Sequence, residues 1–397
     1  MDIAAETFKL LEKNRREKQG HIYTVPSPST YPYQWLWDSC FHAIMLAKRE
    51  PDIAKQELLS LVSRQLPDGM IPHIIFWEEK ITRPYQWGWG RKGTSSITQP
   101  PMLAYAAWEV HRALGDGPAF LKVIYPKLLS YYRYLIEERD PQDHHLIGII
   151  NPDESGEDNS PRFDSPMHVP PKVSFAEHFI LRHKLVDMNR ICNFDAATCM
   201  SENFWVKDVP FNSILVKNLE ILCHIASLLG DAEGEHFATL HAGLIKEAMR
   251  THLFHDGVFY SAANHDYKPL KVETWAHFAP LFADIYTKEE AERLIEQHFH
   301  NDETFRSAFG IRTVSKREPS YRRNGFWRGP IWMAPHWFIY KGLVAYGFDR
   351  EARFILNTSV TLLEKNGFRE YFDPEDGTGY GAHEFTWGGL VLDMLED

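Results

Sequence analysis

The chain of 397 residues is long for one ordinary hydrophobic core and short for three domains. Its formal net charge is -11 at pH 7, with acidic and basic residues mixed along the chain, which argues against nucleic acid or an anionic membrane surface as the main partner. A small ligand, neutral or locally compensated in charge, is the partner that this composition favours.

Amphipathic helical segments alternate with long loops, and the helices come in pairs joined by short turns. Pro51 falls at a helix start, where its missing N–H costs nothing. Gly115, Gly230 and Gly347 follow predicted helix ends, and Thr287 is a predicted N-cap. The five predicted pairs are 38–49 with 52–65, 99–114 with 119–139, 211–229 with 232–253, 275–285 with 288–299, and 332–346 with 350–365.

Two further helices are predicted at the ends of the chain, over residues 8–18 and 385–395. If they pack together, six hairpins close into a ring, so we predict an all-α fold, an (α/α)6 barrel that makes one catalytic domain of residues 1–397. An open α-solenoid is the alternative, but it would show a regular repeat length and polar terminal caps. A helical stretch over 174–190 fits no pair and indicates an insertion in a long loop.

The long loops of such a ring meet at one end of it, because each short turn joins the first helix of a pair to the second. These loops hold several of the twelve Trp residues, in segments rich in Gly and Pro. Aromatic residues in loops line binding sites more often than they fill cores, and flat aromatic faces suit the CH-rich faces of sugars. The loops about 77–93 and 161–171 are candidates for lids that close on binding.

An acidic loop carries Asp153, Glu154, Glu157 and Asp158 within six residues, on a segment that Pro and Gly exclude from a helix interior. Its apolar flanks indicate partial burial, which raises the pKa of a carboxyl group, although a solvated acidic turn is the alternative. Two carboxylates from different loops could act as general acid and general base on a glycosidic bond. The residues leave open which of the four is the first, and Glu370 is a candidate for the second.

Four motifs in the chain resemble those of the clan that holds glycoside hydrolase family 63 and the trehalases. The segment Glu154-Ser-Gly-Glu-Asp158 resembles the Glu-Ser-Gly-x-Asp motif of this clan. Gly325-Phe-Trp-Arg-Gly-Pro-Ile-Trp332 resembles its Trp-Arg-Gly-Pro-Ile-Trp segment. Trp35-Leu-Trp-Asp38 resembles its N-terminal Trp-Asp motif, and Glu370-Tyr-Phe-Asp-Pro with Phe385-Thr-Trp387 resembles its C-terminal pair. The motifs occur in the same order from about residue 31 to the end.

The resemblance implies an inverting α-glycosidase with Asp158 as the general acid and Glu370 as the general base. The residues that it implies or makes available for substrate binding are Tyr31, Tyr33, Trp35, Trp37, Asp38, Tyr85, Gln99, Trp327, Arg328 and Trp387. No metal and no cofactor are expected, because the sequence contains no phosphate-binding Gly loop, nicotinamide fingerprint or clear metal cluster.

The chain resembles the compact subgroup of family 63 that includes mannosylglycerate and glucosylglycerate hydrolases, because the segment before residue 31 is too short for the N-terminal β-rich domain of large members. The expected substrate is therefore α-mannosyl- or α-glucosyl-glycerate. An aglycone carboxylate needs hydroxyl groups or a cation, for which Arg91, Lys92 and Arg322 are available, although each is also an ordinary surface charge. The alternatives are an α-glucosidase on short oligosaccharides, a sugar 2-epimerase or isomerase using His336 and His383, and a non-catalytic sugar-binding protein.

Cys40, Cys192, Cys199 and Cys223 show neither zinc-ligand spacing nor a disulfide framework. Cys40 and Cys223 fall on apolar helical faces, so buried free thiols are predicted. The N-terminus lacks a basic segment followed by an apolar run, and no segment approaches 18 apolar residues. These features predict a soluble cytoplasmic protein.

Overall fold

Six inner helices form a closed ring in the computed structural model, which describes residues 1–77, 88–170 and 173–397. In chain order they are Leu36–Ala47, Leu103–Leu114, Val209–Leu229, Ala279–Phe282, Met333–Ala345 and Leu390–Leu395. Each inner helix packs against the next, and the last packs against the first. The outer helices are Ile3–Asn14, Pro51–Val62, Ala119–Glu138, Ala232–His252, Lys288–Leu294 and Asp349–Asn366. Ile3–Asn14 packs against Leu390–Leu395 and closes the sixth hairpin, which confirms the predicted (α/α)6 fold.

Local sequence signals set several helix ends as predicted. Pro51 lies in the first turn of its helix. Gly115 and Gly230 adopt left-handed φ angles of 60° and 75° at helix C-caps, a conformation that glycine adopts without steric cost. Thr287 caps its helix and forms a reciprocal capping box with Glu290. The turns that separate inner from outer helices therefore follow from the residues at the turns.

The first predicted helix extends too far. Residues 15–18 form a strand that pairs with His21–Thr24 and do not continue the helix. Gln19 and Gly20 both have positive φ angles, 53° and 77°, which is the geometry of a two-residue hairpin turn. The hairpin ends the helix at Asn14.

The fourth predicted pair is also shorter than expected. Its inner segment splits into a 3-10 turn, Trp275–His277, and the short helix Ala279–Phe282. Pro280 lies in the first turn of that helix, where a proline is tolerated, whereas a continuous helix over 275–285 would place it in the interior. The outer segment changes from α-helix to a π-helical turn over Ile295–Phe299.

Short antiparallel strands pair the loops with one another. The all-α prediction did not include these strands. A four-stranded sheet has the order Lys268–Pro269, Ala262–Ala263, Val206–Lys207 and Gly148–Ile149. The two-stranded pairs beyond the N-terminal hairpin are Gln34–Trp35 with Ile74–Ile75, Phe254–His255 with Val258–Phe259, Arg306–Ser307 with Gly310–Ile311, and Arg369–Phe372 with Gly379–His383. Most of these strands have two residues, which is too short to produce an alternating hydrophobic pattern.

One described helix, Val209–Leu229, is long and apolar enough by length and composition to cross a membrane, contrary to the expectation from the sequence. Of its most apolar window, 56% is buried inside the protein. The helix packs against Ala232–His252 and against the inner helices on both sides. These contacts are those of a core helix in the ring.

A helix outside the ring, Phe175–Ile191, is the insertion predicted at 174–190, and we name it the cover helix. Ser174 caps it in a reciprocal capping box with Glu177. Asn189, fully buried, donates to the carbonyl of Ile150 and accepts from the side chain of Asn151, so the cover helix is attached to the start of the acidic loop. Of the predicted lid segments, residues 78–87 and 171 lie outside the described residues.

Cys192 and Cys199 form a disulfide bond, so the expectation that the cysteines form no disulfide was wrong. Asn193 and Phe194, which follow Cys192, both have a φ of 54° and reverse the chain, which brings the two cysteine Cα atoms to 5.6 Å. Cys40 is a buried free thiol, and Cys223 is half-buried and free.

Candidate active site

A cavity of about 380 Å³ lies between the long loops, within the usual size range of small-molecule sites. The predicted site residues that line it are Tyr31, Tyr33, Trp35, Trp37, Asp38, Gln99, Asp158, Trp327, Glu370 and Trp387. The fold thus brings together residues that are more than 300 positions apart in the chain. Tyr85 lies outside the described residues.

Arg328 is absent from the described lining of this cavity. Its guanidinium donates two hydrogen bonds, of 2.8 and 2.5 Å, to the carboxylate of Asp164, and both residues line a neighbouring cavity of about 880 Å³. The backbone N–H of Trp327 donates to Asn159 Oδ1 at 3.0 Å. A two-fold contact with a carboxylate is the geometry that a guanidinium favours. Arg328 therefore connects its loop to the chain beyond Asp158 and does not contact the cavity that Trp327 lines.

Glu154 is fully buried, and both its oxygens are engaged. The guanidinium of Arg139 donates to them at 2.7 and 2.9 Å, and the backbone N–H groups of Thr98 and Ile150 donate at 3.1 and 2.8 Å. A buried carboxylate held by four donors is a structural anchor, because every lone pair that faces the protein is occupied. Glu154 holds the start of the acidic loop in place.

Glu157 anchors the other side of the loop. Arg162 donates to its two oxygens at 2.7 and 2.8 Å and also to Asp208, the N-cap of the inner helix Val209–Leu229. Burial raises the pKa of Glu157, and the Arg162 charge opposes this rise. Between the two anchors, Gly156 has a φ of 74°, and a Cβ there would lie 2.2 Å from the ring of Trp37. The loop can approach the aromatic wall this closely only because this residue is a glycine.

Asp153 and Asp158 share one cation, Arg182 of the cover helix. Arg182 nitrogens lie 2.5 Å from Asp153 Oδ1 and 2.6 Å from Asp158 Oδ2. The side chain of Asp158 is 22% exposed to solvent. Its Oδ1 is buried and has no hydrogen-bond partner in the described part of the chain. Burial raises the pKa of Asp158, the charge of Asp153 raises it further, and Arg182 opposes both. The backbone N–H of Asp153 donates to Asn151 Oδ1 at 3.0 Å, which holds the start of this turn.

Glu370 lies in the strand Arg369–Phe372, at a shift in strand register that re-aims its side chain. It is only 3% exposed, and it accepts hydrogen bonds from the Tyr31 hydroxyl at 2.6 Å and the Ala382 N–H at 2.7 Å. Burial, with a contribution from the Asp158 charge, raises the pKa of Glu370 to about 7, and the two hydrogen bonds oppose the rise. Gly381, with a φ of 67°, lies beside Glu370 Oε2, where a Cβ would approach to 2.3 Å.

Aromatic rings and one further carboxylate form the rest of the wall. Trp327 and Trp332 stack with their ring centroids 3.9 Å apart, and Trp37 meets Trp387 edge to face at 4.9 Å. The indole N–H of Trp387 donates to Asp38 Oδ1 at 2.7 Å, and burial raises the pKa of Asp38 to about 6. Aromatic faces beside a buried hydrogen-bonding carboxylate suit a sugar ring with its hydroxyl groups.

Sequence reasoning missed the contribution of the cover helix, which places Phe175, Phe179 and Arg182 on the cavity wall. Their spacing of four and three residues puts them on one helix face, and the helix directly follows the acidic loop. That combination is the signal that could have revealed them. Of the cations proposed from the sequence, Arg91 and Lys92 are exposed away from the cavity, and Arg322 lines the neighbouring one.

The two histidines considered for an epimerase do not line the described cavity wall. His336 is fully buried, accepts the N–H of Ile311 at 3.0 Å, and has its pKa lowered to about 3 by burial. His383 is exposed beside Arg369. These positions do not support acid–base catalysis by the two histidines.

Two carboxyl groups with raised pKa values, carried by separate loops into one aromatic cavity of an (α/α)6 toroid, define the class of protein: it is a glycoside hydrolase.

Comparison with known proteins specifies the family. Residues 31–388 match the family model of the mannosylglycerate hydrolase MGH1-like glycoside hydrolase domain. The chain is 32% identical to a mannosylglycerate hydrolase from Thermus thermophilus, over 97% of this chain and 99% of that protein. It is 27% identical to a glucosylglycerate hydrolase from Mycolicibacterium hassiacum, over 94% of each. The crystal structure of the glycoside hydrolase family 63 mannosylglycerate hydrolase from T. thermophilus, in complex with Tris and D-glycerate, superposes with a TM-score of 0.90 at 30% identity, covering 100% of both chains. The chain belongs to this family of MGH1-like glycoside hydrolases.

Proposed function

We propose that the protein is an inverting α-glycosidase that hydrolyses α-mannosyl- or α-glucosyl-glycerate, with Asp158 as the general acid and Glu370 as the general base. The position of Arg182 on the cavity wall, beside Asp158, is the observation that carries the proposal. Among the described residues of the cavity wall Arg182 is the only Lys or Arg, and it lies 2.6 Å from Asp158. A glycerate aglycone has a carboxylate a few bonds from the glycosidic oxygen, so its cation must lie beside the acid.

Asp158 suits the role of proton donor. Its raised pKa favours the protonated form, and its side chain, 22% exposed, lies on the wall of the cavity that would hold the glycosidic oxygen. In the unliganded enzyme Arg182 opposes protonation of Asp158. A substrate carboxylate that binds Arg182 neutralises this opposition and adds a second negative charge near Asp158, so binding of the correct substrate raises the pKa of the acid.

Glu370 suits the role of base. With a pKa of about 7 it is ionised in a large fraction of molecules at neutral pH, yet basic enough to accept a proton from water. Tyr31 and Ala382 hold its two oxygens, which fixes the direction of the carboxylate. Inversion requires a separation of about 6.5–9.5 Å between the two carboxyl groups, so that one water fits beneath the anomeric carbon.

The remaining residues have supporting roles in this proposal. Trp35, Trp37, Asp38, Trp327 and Trp387 hold the cleaved sugar, and Tyr31, Tyr33 and Gln99 face the aglycone. The activities for which the T. thermophilus and M. hassiacum relatives are named support this choice of substrates. An α-glucosidase on short oligosaccharides is the second candidate, but a neutral aglycone offers nothing to pair with Arg182.

A hydrolysis panel tests the substrate. We expect turnover of α-mannosylglycerate or α-glucosylglycerate with a kcat/KM at least about 100-fold higher than that of α-linked disaccharides, because a neutral aglycone makes no charge-assisted contact with Arg182. A preference for disaccharides would refute the glycerate assignment and favour the oligosaccharide alternative.

Arg182→Gln separates binding of the aglycone charge from catalysis. We expect the KM for α-mannosylglycerate to rise about 10- to 100-fold, because a hydrogen bond to a charged group contributes about 1.5–3 kcal/mol. The methyl ester of the same substrate should show little change in KM. Arg190→Gln, on the exposed side of the same helix, is the matched control and should leave both values unchanged. Equal effects of Arg182→Gln on the acid and its ester would contradict the role.

Tyr31→Phe tests the environment of Glu370. In the native enzyme the hydrogen bond from Tyr31 lowers the pKa of Glu370. The substitution removes this bond, so the pKa of Glu370 should rise. The base works only when deprotonated; therefore the acidic limb of the pH profile of kcat should move to higher pH, while the basic limb stays in place. A limb that moves to lower pH, or does not move, would show that the hydrogen bond does not set the titration.

The location and the domain organisation are part of the same proposal. We propose one catalytic domain over 1–397 that acts in the cytoplasm on a small-molecule sugar, without nucleic acid or membrane partners. Disulfides are rare in reducing compartments, so the oxidation state of Cys192 and Cys199 in protein extracted with rapid thiol blocking is the informative measurement. Complete reduction in cells fits a cytoplasmic location, whereas complete oxidation argues against it.

A further inference from the structure

The cover helix has an outward face that the other residues described in the structure leave uncovered. Its inward side is fixed by buried Asn189, by the ion pairs of Arg182, and by the disulfide that begins at its C-cap Cys192. On the opposite side Ile180 is 53% exposed and Ile191 is 80% exposed. Single exposed apolar residues are common on protein surfaces, so the case for a contact surface depends on the spacing and charge of the residues between these two.

The residues of this outward face follow the spacing of a helix-pairing seam. Ile180, Lys184, Asp187 and Ile191 are separated by four, three and four positions, as the a and d positions of a coiled coil are. The two isoleucines lie at the ends of the seam, and the two charges lie between them. Because the charges are of opposite sign, the seam contains both halves of a complementary pair.

Two copies of the cover helix can be related by a twofold axis that passes between positions 185 and 186. With this axis the seam of one copy is complementary to the seam of the other. In that antiparallel arrangement Ile180 of one copy faces Ile191 of the other, and Lys184 faces Asp187, with each contact occurring twice. A parallel arrangement would instead place Lys184 against Lys184. Asp187 already pairs with Arg190 at 3.3 Å within the helix, and at 66% side-chain exposure it remains accessible to a second cation.

We propose that two copies of this chain associate through their cover helices, antiparallel, along the seam Ile180, Lys184, Asp187 and Ile191. One helix from each copy forms a small interface, below about 1,200 Å² in total, so the dimer is weak and depends on concentration. Phe175, Phe179 and Arg182 face the cavity from the other side of the helix. The dimer therefore leaves the cavity wall in place and restrains the helix that carries Arg182.

Sedimentation velocity of the whole protein over a range of concentrations tests the proposal. We expect a monomer–dimer equilibrium in which Ile180→Glu raises the Kd about tenfold or more, because it places a charge against Ile191 of the other copy. Either charge reversal, Lys184→Asp or Asp187→Lys, should raise the Kd by a similar factor, because like charges then meet in both symmetric contacts. The double reversal, Lys184→Asp with Asp187→Lys, restores the pairs and should return the Kd to near the native value. Val123→Glu, at another 60% exposed apolar position, is the control and should leave the Kd unchanged.

Helix content from circular dichroism and the melting temperature confirm that each variant is folded, which separates loss of association from loss of structure. A native protein that stays monomeric at all concentrations would overturn the proposal. So would a dimer that the single substitutions leave intact, or one that the double reversal does not restore.

Discussion

Asp158→Asn is expected to lower kcat for α-mannosylglycerate by about 10²- to 10⁴-fold with little change in KM, because the amide cannot donate the proton that the departing glycerate oxygen needs. The amide retains the size of the carboxyl group, and the anchors of the loop, Glu154 with Arg139 and Glu157 with Arg162, are untouched. The loss therefore reports on proton donation. Steady-state kinetics at several pH values would measure it.

The leaving group makes this test specific. The 2,4-dinitrophenolate of a 2,4-dinitrophenyl α-mannoside leaves without being protonated. Hydrolysis of this substrate should therefore fall far less in Asp158→Asn than hydrolysis of the glycerate substrate. Asp164→Asn is the matched control: it removes a carboxylate from the same stretch of chain, but one that faces Arg328 and lines the neighbouring cavity. Asp158→Asn with nearly native activity, or an equal loss in both variants, would contradict the acid role.

Glu370→Gln should have a comparable effect, about 10²- to 10⁴-fold in kcat, for a different reason. The amide can occupy the position between Tyr31 and Ala382, but it cannot take a proton from the attacking water. An anionic nucleophile needs no base. Azide should therefore restore turnover in Glu370→Gln and form a glycosyl azide of inverted configuration, while having no such effect in Asp158→Asn. Rescue of Asp158→Asn by azide with retention of configuration would instead make Asp158 the acid/base residue of a retaining enzyme that forms a covalent intermediate, and would contradict the single displacement proposed here.

The ring and most of the cavity wall could be predicted from the sequence. The helix Ala119–Glu138 lies almost where its apolar period predicts it, and the ordered motifs that contain Asp38, Asp158, Trp327 and Glu370 identify residues that the fold brings together. Such motifs report which residues meet, but they carry less information about where each side chain points. Arg328 is the example: it is adjacent to Trp327, yet its guanidinium extends to Asp164.

Features that depend on the path of the chain between elements could not be predicted. The disulfide requires Phe194 to adopt a positive φ, which an aromatic residue rarely does and which no local pattern indicates. Arg182 contacts Asp158 only because Asn189 and the disulfide hold the cover helix over the acidic loop. The sequence alone does not show this contact. The cations that it offered for the aglycone carboxylate, Arg91, Lys92 and Arg322, are solvent-exposed.

The configuration of the first sugar released tests the account most directly, because both proposed roles depend on a single displacement by water. Proton NMR of α-mannosylglycerate or α-glucosylglycerate during the first minutes of hydrolysis, before mutarotation, distinguishes the anomers. The proposed roles of Asp158 and Glu370 predict that the β-anomer appears first and the α-anomer follows by mutarotation. Initial release of the α-anomer would mean a covalent intermediate and would contradict the assignment of Glu370 as a base acting on water.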